Sequence, residues 1–198
     1  MKWQYLSHLM IIALVPGVLP GCGTSAPSRF YNLDSTAIPS GLPAVPATVM
    51  VGPVSVPAAV DRPEFVVQVS PNQVELEEFN RWAAPLDDSI ARAVAGDLSV
   101  LLANPKVTSG PLADFIPTFR VTINIQQFES VEGQEALLDA VWVVWGTAGG
   151  SVQSGRTIAK EAVLGGGFEA LAAAHSRAIA KVSSDIAAVI RAHAAGNT

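Results

Sequence analysis

Phe119-Arg120-Val121-Thr122-Ile123-Asn124-Ile125-Gln126 places an apolar residue at every odd position and a polar one at every even position. Side chains of an extended chain point alternately to two faces, so this stretch reads as a half-buried β-strand. Downstream, Leu137 to Trp145 is apolar at almost every position. That predicts a central strand, covered on both faces or covered on one and engaged by a partner on the other. A third run, Thr157 to Leu164, follows a turn around Gly155. Gly165-Gly166-Gly167 then turns the chain into a helix from Phe168 to about His193, with Phe168, Leu171, Ile179, Val182, Ile186, Val189 and Ile190 as its buried stripe.

The same order occurs upstream. Val49, Val51, Val54 and Val56 surround Gly52-Pro53, a strand with a break or bulge where proline lacks its donor. Phe65 to Val69 and Gln73 to Glu77, joined by Ser70-Pro71-Asn72, predict a hairpin whose second arm has one wet face. A helix follows, starting near Asn80 or Pro85 and ending at Ala103 before Asn104-Pro105. Leu86, Ile90, Val94, Leu98, Leu101 and Leu102 line one side of it, and Asp87, Asp88, Arg92 and Asp97 are expected on the polar side. Three strands, helix, three strands, helix predicts an α+β two-layer sandwich, its mostly antiparallel sheet carrying both helices on one face.

The N-terminus says where this domain works. Lys2 is followed by the apolar run Leu9 to Val15, which suits an export signal and is too short to span a bilayer, for which roughly 20 apolar residues are needed. Leu19-Pro20-Gly21-Cys22 is similar to the lipobox of bacterial lipoproteins, in which the cysteine sulfur takes a diacylglycerol. Cys22 is the sole cysteine of 198 residues, so no disulfide staples the fold. The expected organisation is a signal peptide over 1–21, a lipidated Cys22 with a flexible, proline-rich linker over 22–47, and one domain over 48–195. Within the linker, Phe30-Tyr31-Asn32-Leu33 is an apolar island that either docks as an edge segment or is solvated. The formal net charge is −5 and the basic residues are scattered singly, which argues against nucleic acid as a partner.

Several of these segments together resemble the PqiC-like ABC-type transport auxiliary lipoproteins. The resemblance is carried by Cys22, Phe30-Tyr31-x-Leu33, Val51-Gly52-Pro53-Val54-x-Val56-Pro57 and Asp61-Arg62-Pro63. It continues through Arg81-Trp82-Ala83-x-Pro85-Leu86, Leu138-x-Ala140-x-Trp142 and Ala174-His175-Ser176-x-Ala178-Ile179. Membership implies a periplasmic domain tethered to the outer membrane, working beside a mammalian-cell-entry (MCE) domain protein that conducts lipid from the inner membrane. Gly23 after the cysteine is compatible with that location.

The catalytic inventory is thin. Beyond the leader only His175 and His193 remain, so any histidine-assisted nucleophile must use one of them. His175 reads first as a satisfied, partly buried side chain, then as a pH-sensitive interface residue, then as catalytic. No zinc spacing exists, and Glu75, Glu77 and Glu78 read as a solvated strand face rather than a cation site. The glycine run at 165–167 lacks the lysine of a nucleotide loop. No enzyme activity and no cofactor are therefore expected.

Contact residues are the remaining candidates. Asp61 and Arg62 sit in a loop stiffened by Pro63, and Arg81 and Trp82 precede the first helix, with Trp82 expected to cap the core and Arg81 to anchor the loop. Trp142 and Trp145 are three apart in a strand and so lie on opposite faces, which leaves one of them directed outward. The leading expectation is a lipid-anchored subunit that docks a partner, with self-association into a ring plausible for a docking collar. The alternative is a lipoprotein that itself carries a lipid or other hydrophobe in a cavity between sheet and helices.

Overall fold

The computed structural model describes residues 26–147 and 152–196, and the expected leader and the lipobox cysteine Cys22 lie outside them. In chain order the elements are β1 (Arg29–Tyr31), β2 (Val49–Ser55), β3 (Glu64–Ser70), β4 (Gln73–Trp82), α1 (Leu86–Leu101), β5 (Val107–Thr108), β6 (Phe119–Val131), β7 (Glu135–Gly146), β8 (Val152–Ala162) and α2 (Gly167–Gly196). The α+β architecture with both helices packed on the sheet stands.

The long strand β6 organises the sheet. One side of it pairs with β7 from end to end, antiparallel, and β7 in turn pairs with β8. The other side takes β2 in parallel along its first half and meets β3 at Val67 and Ser130 near its end. A bulge between Ile125 and Gln127 shifts the alternation, so Phe128 and Ser130 face the helices as Phe119, Val121, Ile123 and Ile125 do. The three long ladders are antiparallel and the pairings of β2, β5 and β1 are parallel, which makes the sheet mixed.

Element bounds differ from the expectations in physically simple ways. Strand β4 runs on to Trp82, so α1 starts after Pro85 rather than near Asn80. Strand β8 begins at Val152, so Gly155 lies inside it opposite Trp142 rather than in a turn, and the Trp142 indole takes the space a side chain there would need. The break at Gly52-Pro53 is a register shift between Val51 and Val54.

The largest departure concerns the proline-rich stretch. Its island docks as the edge strand β1, parallel to β4, with Tyr31 edge-on to Phe65. Beyond it Leu33, Val45 and Ala47 are buried, so from Leu33 onward the segment read as linker contributes to the core. It lies over the groove between α1 and α2, where Ser176 of α2 accepts from the Asp34 N–H at 3.2 Å and three further side chains hold it. Oδ1 of Asp97 accepts hydrogen bonds from Ser35 Oγ (2.7 Å) and the backbone N–H groups of Thr36 (2.9 Å) and Ala37 (3.0 Å). The Asn104 side-chain amide donates to the carbonyls of Val45 and Ala47. Arg191 bridges the carbonyls of Pro43 (2.7 Å) and Leu101 (2.5 Å).

Asp97 was expected on the polar side of α1 and is instead fully buried. The strap covers that side, and Ser183 of α2 donates to the second carboxylate oxygen at 2.9 Å. Gly96 beside it has the matching role, because a Cβ there would sit 2.9 Å from Cβ of Ser35. The strap approaches the helix that closely only over a glycine.

Candidate functional site

The sheet has two unlike faces. Toward the helices it is filled by β6 and β7 side chains packed on Leu171, Ala174, Ala178, Ile179, Val182 and Ile186 of α2. Among the described residues no helix lies on the outer face, and β7 contributes half-buried Val141 and Val143 there.

The two β7 tryptophans divide between these faces. Trp142 is buried against the helices, with its Nε1–H donating to Thr157 Oγ1 at 3.0 Å, whose hydroxyl donates to Asp185 Oδ2 at 2.5 Å. Trp145 is the outward one, 45% exposed. It lines a shallow cleft of about 500 Å³ with Pro53, Arg120, Thr122 and Thr147, and a smaller one of about 240 Å³ adjoins along Val141 and Val143. On the same face the buried carboxylate of Asp139 is clamped bidentately by Arg156 across the β7–β8 pair, and those hydrogen bonds hold its carboxyl below the usual carboxylate range.

A further cavity of about 500 Å³ opens at the β2 edge, where Gly52 and Pro53 interrupt the ladder. Met50, Ala91, Leu112, Phe115 and Pro117 supply apolar walls, and Asp87, Asp88 and Arg120 stand at it. It lies where α1 meets the β2 edge of the sheet, at the margin of the layer between sheet and helices in which a carried hydrophobe was expected to sit.

Trp82 is a core residue, stacked on Phe65 with ring centroids 4.0 Å apart and edge-on to Phe128. Arg81 pairs with Glu64 at 3.2 Å and donates to the Glu78 carbonyl, so it ties β4 to β3. Asp61 and Arg62 are exposed in the loop after β2, and Arg62 makes no ion pair among the described residues. The structure therefore does not bring the six candidate contact residues together: Arg81 and Trp82 belong to the β3–β4 region, Trp145 to the far end of the outer face.

His175 is fully buried, its ring stacked on Phe128 at 3.9 Å, and Nε2 lies 2.8 Å from Ser130 Oγ. Among the described residues Nδ1 has no partner, which favours the tautomer with Nε2–H donating to Ser130, since a bare lone pair costs less than an orphaned N–H. Burial pushes the imidazole pKa down to about 3, so the ring is neutral. A serine beside a histidine invites a hydrolytic reading. Here both side chains are buried, no carboxylate among the described residues orients Nδ1, and His175 lines none of the cavities, although Ser130 borders one of about 380 Å³ beside β3.

Sequence reasoning missed Asp97, Gly96 and Asn104, which dock the strap. A signal was available: glycine next to aspartate in a helix interior is unfavourable locally and asks for a tertiary reason. Among the described residues no cluster of histidine, cysteine and carboxylates could hold a metal, and no helix is long and apolar enough to cross a membrane.

The family profile described as ABC-type transport auxiliary lipoprotein component matches residues 31–187, and the chain belongs to that family. The match includes the strap. A crystal structure of an uncharacterized protein is similar at TM-score 0.67 and 20% identity, covering 83% of this chain and 99% of that one. Protein XCC0632 from Xanthomonas campestris is similar at TM-score 0.65 and 16% identity, covering 80% and 92%. At these identities both likenesses show the fold. No curated protein matches the chain.

Proposed function

We propose that this protein is a non-catalytic auxiliary subunit of an ABC/MCE-type lipid transport system, lipidated at Cys22 and held on the periplasmic side of the outer membrane, where it supports envelope integrity. It acts by docking an MCE-domain partner. The observation that carries the docking step is the open outer face of the sheet, with Trp145 exposed at a shallow cleft that a smaller one adjoins, while the opposite face is filled. Exposed aromatic anchors at shallow clefts are what binding energy concentrates on. Arg120, at both the Trp145 cleft and the β2-edge cavity, gives the surface a cation. Self-association into a ring would array several such faces around one partner.

The test is affinity recovery from cross-linked envelope of wild type, Cys22→Ala and Trp145→Ala protein. MCE-domain protein recovered with wild type and lost with Trp145→Ala supports the reading; equal recovery from both removes Trp145 from it. Cys22→Ala protein that still fractionates with membranes to the same extent argues that the lipid is not the tether.

The carrier reading has one supporting observation, the β2-edge cavity, whose volume of about 500 Å³ falls within the range of small-molecule sites. Lipid co-purifying with the wild type and absent from Ala91→Trp protein would favour it. A lipid-free wild type disfavours it.

A further inference from the structure

The strand register measures how far the anchor can stand from the domain. Arg29 pairs with Asn80 in the parallel β1–β4 ladder. Going back from Arg29, the chain heads in the direction in which β4 goes back from Asn80 to Gln73, toward the β3–β4 turn. Cys22 is seven residues before Arg29, and Gln73 is seven before Asn80. At roughly 3.3 Å per residue both paths span about 23 Å. A fully extended tether therefore brings Cys22 only level with the hairpin tip, and any shorter path brings the bilayer closer.

That tip is unusually apolar for a solvent-facing hairpin. Val69 and Val74 flank the turn at 49% and 58% exposure, followed along the hairpin by Leu76 (44%) and Phe79 (42%). Phe30 of β1 is 62% exposed and lies next to Arg81, two residues from Phe79 on the neighbouring strand. By register Val74 and Leu76 share one face of the hairpin, Phe79 and Phe30 continue toward the tether's point of attachment, and Val69 flanks the turn on the other strand. Trp145, Leu112 and Ile116 belong to the opposite end of the sheet, where β6 begins and β7 ends.

We propose that the β3–β4 hairpin tip, with Phe30, is a membrane-contact surface that rests in the interface of the bilayer holding the lipid anchor. The proposal relies on the lipidation of Cys22. Glu75, Glu77 and Glu78 beside the exposed apolar residues make a neutral, zwitterionic surface their partner and an anionic one the poorer match. Contact at two points, lipid and hairpin, stops the domain from swivelling. It also directs the opposite end, with Trp145 and the β2-edge cavity, away from the membrane and toward the periplasm.

The test uses protein purified from envelopes and reconstituted in phosphatidylcholine vesicles whose acyl chains carry bromine, a short-range tryptophan quencher. Phe79→Trp and Ile116→Trp proteins are compared, both substituting exposed positions. The expected result is quenching of the added tryptophan in Phe79→Trp and none in Ile116→Trp. Equal quenching of both, or none in Phe79→Trp with an acylated terminus, overturns the proposal, as does stronger quenching in vesicles made anionic. Mass spectrometry of the same sample reads the anchor separately: an unacylated Cys22 refutes the lipoprotein reading. Flotation with neutral vesicles then decides the tip on its own. Losing both rings in Phe30→Ser/Phe79→Ser protein should weaken partitioning roughly tenfold or more. Unchanged partitioning overturns the proposal.

Discussion

Mild acid should weaken this fold through one side chain. His175 is fully buried with Nδ1 unpartnered, so protonating it in place would create an unpaired cation in the core. Its folded pKa is lowered from 6.5 to about 3 by desolvation. Because the unfolded chain takes the proton more readily, stability is fully present above the unfolded pKa and falls as pH drops below 6.5, continuing until the folded pKa near 3 is reached. At about pH 5 the unfolded imidazole lies roughly one and a half pKa units into its protonated range, and the loss relative to about pH 7.5 is ~2 kcal/mol.

Two carboxyls with lowered values act mainly below about pH 5. The Asp139 carboxyl is lowered from 3.8 by its hydrogen bonds with Arg156. For Glu161, burial alone would raise the carboxyl, but hydrogen bonds from Lys181 and Arg177 outweigh it and lower it from 4.5. A carboxylate depressed in this way contributes stability that is fully present above its unfolded pKa and is lost only below it. The assay is urea unfolding of Cys22→Ala protein at about pH 7.5 and 5, with His175→Leu in the same background to remove the titration. The parent should lose ~2 kcal/mol between the two conditions and the variant much less, whatever its absolute stability. Equal losses in the two proteins would refute the assignment to His175.

Three further outcomes follow from the packing. Asp97→Ala strips the strap of its acceptor and leaves the Thr36 and Ala37 N–H groups unpaired; a loss of ~3 kcal/mol in urea unfolding and new proteolytic cuts between residues 33 and 47 are expected. Gly155→Val would put a Cβ 2.2 Å from the Trp142 ring, so the indole must leave Thr157, and a loss of about 3 kcal/mol should appear in thermal unfolding. Trp142→Ala should cost roughly 3–5 kcal/mol, whereas Trp145→Ala should stay within about 0.5 kcal/mol and act only on partner recovery.

The elements were legible where periodicity is local. Alternation at 119–126 identified β6, the three-and-four spacing of Leu86, Ile90, Val94 and Leu98 identified α1, and the same rule identified α2. Alternation was unreadable past Gln126, because a bulge resets it before Phe128. The candidate site was half legible. Spacing alone said that one of Trp142 and Trp145 faces outward, but choosing between them needed the face on which α2 lies.

By itself, then, the sequence determined the kinds of element, their order, the family resemblance and the poverty of catalytic groups, since each of these is written in residue types or in spacings of two to four positions. Only the tertiary structure decided which polar residues are core and which apolar residues are surface. Asp97 reads as a solvated helix residue until a strap 60 residues earlier covers it. Phe30 reads as part of a linker island and Val74 as one residue of a hairpin arm until β1 settles along β4 and leaves both exposed. Burial depends on what a face meets, and the segments that meet here are far apart along the chain.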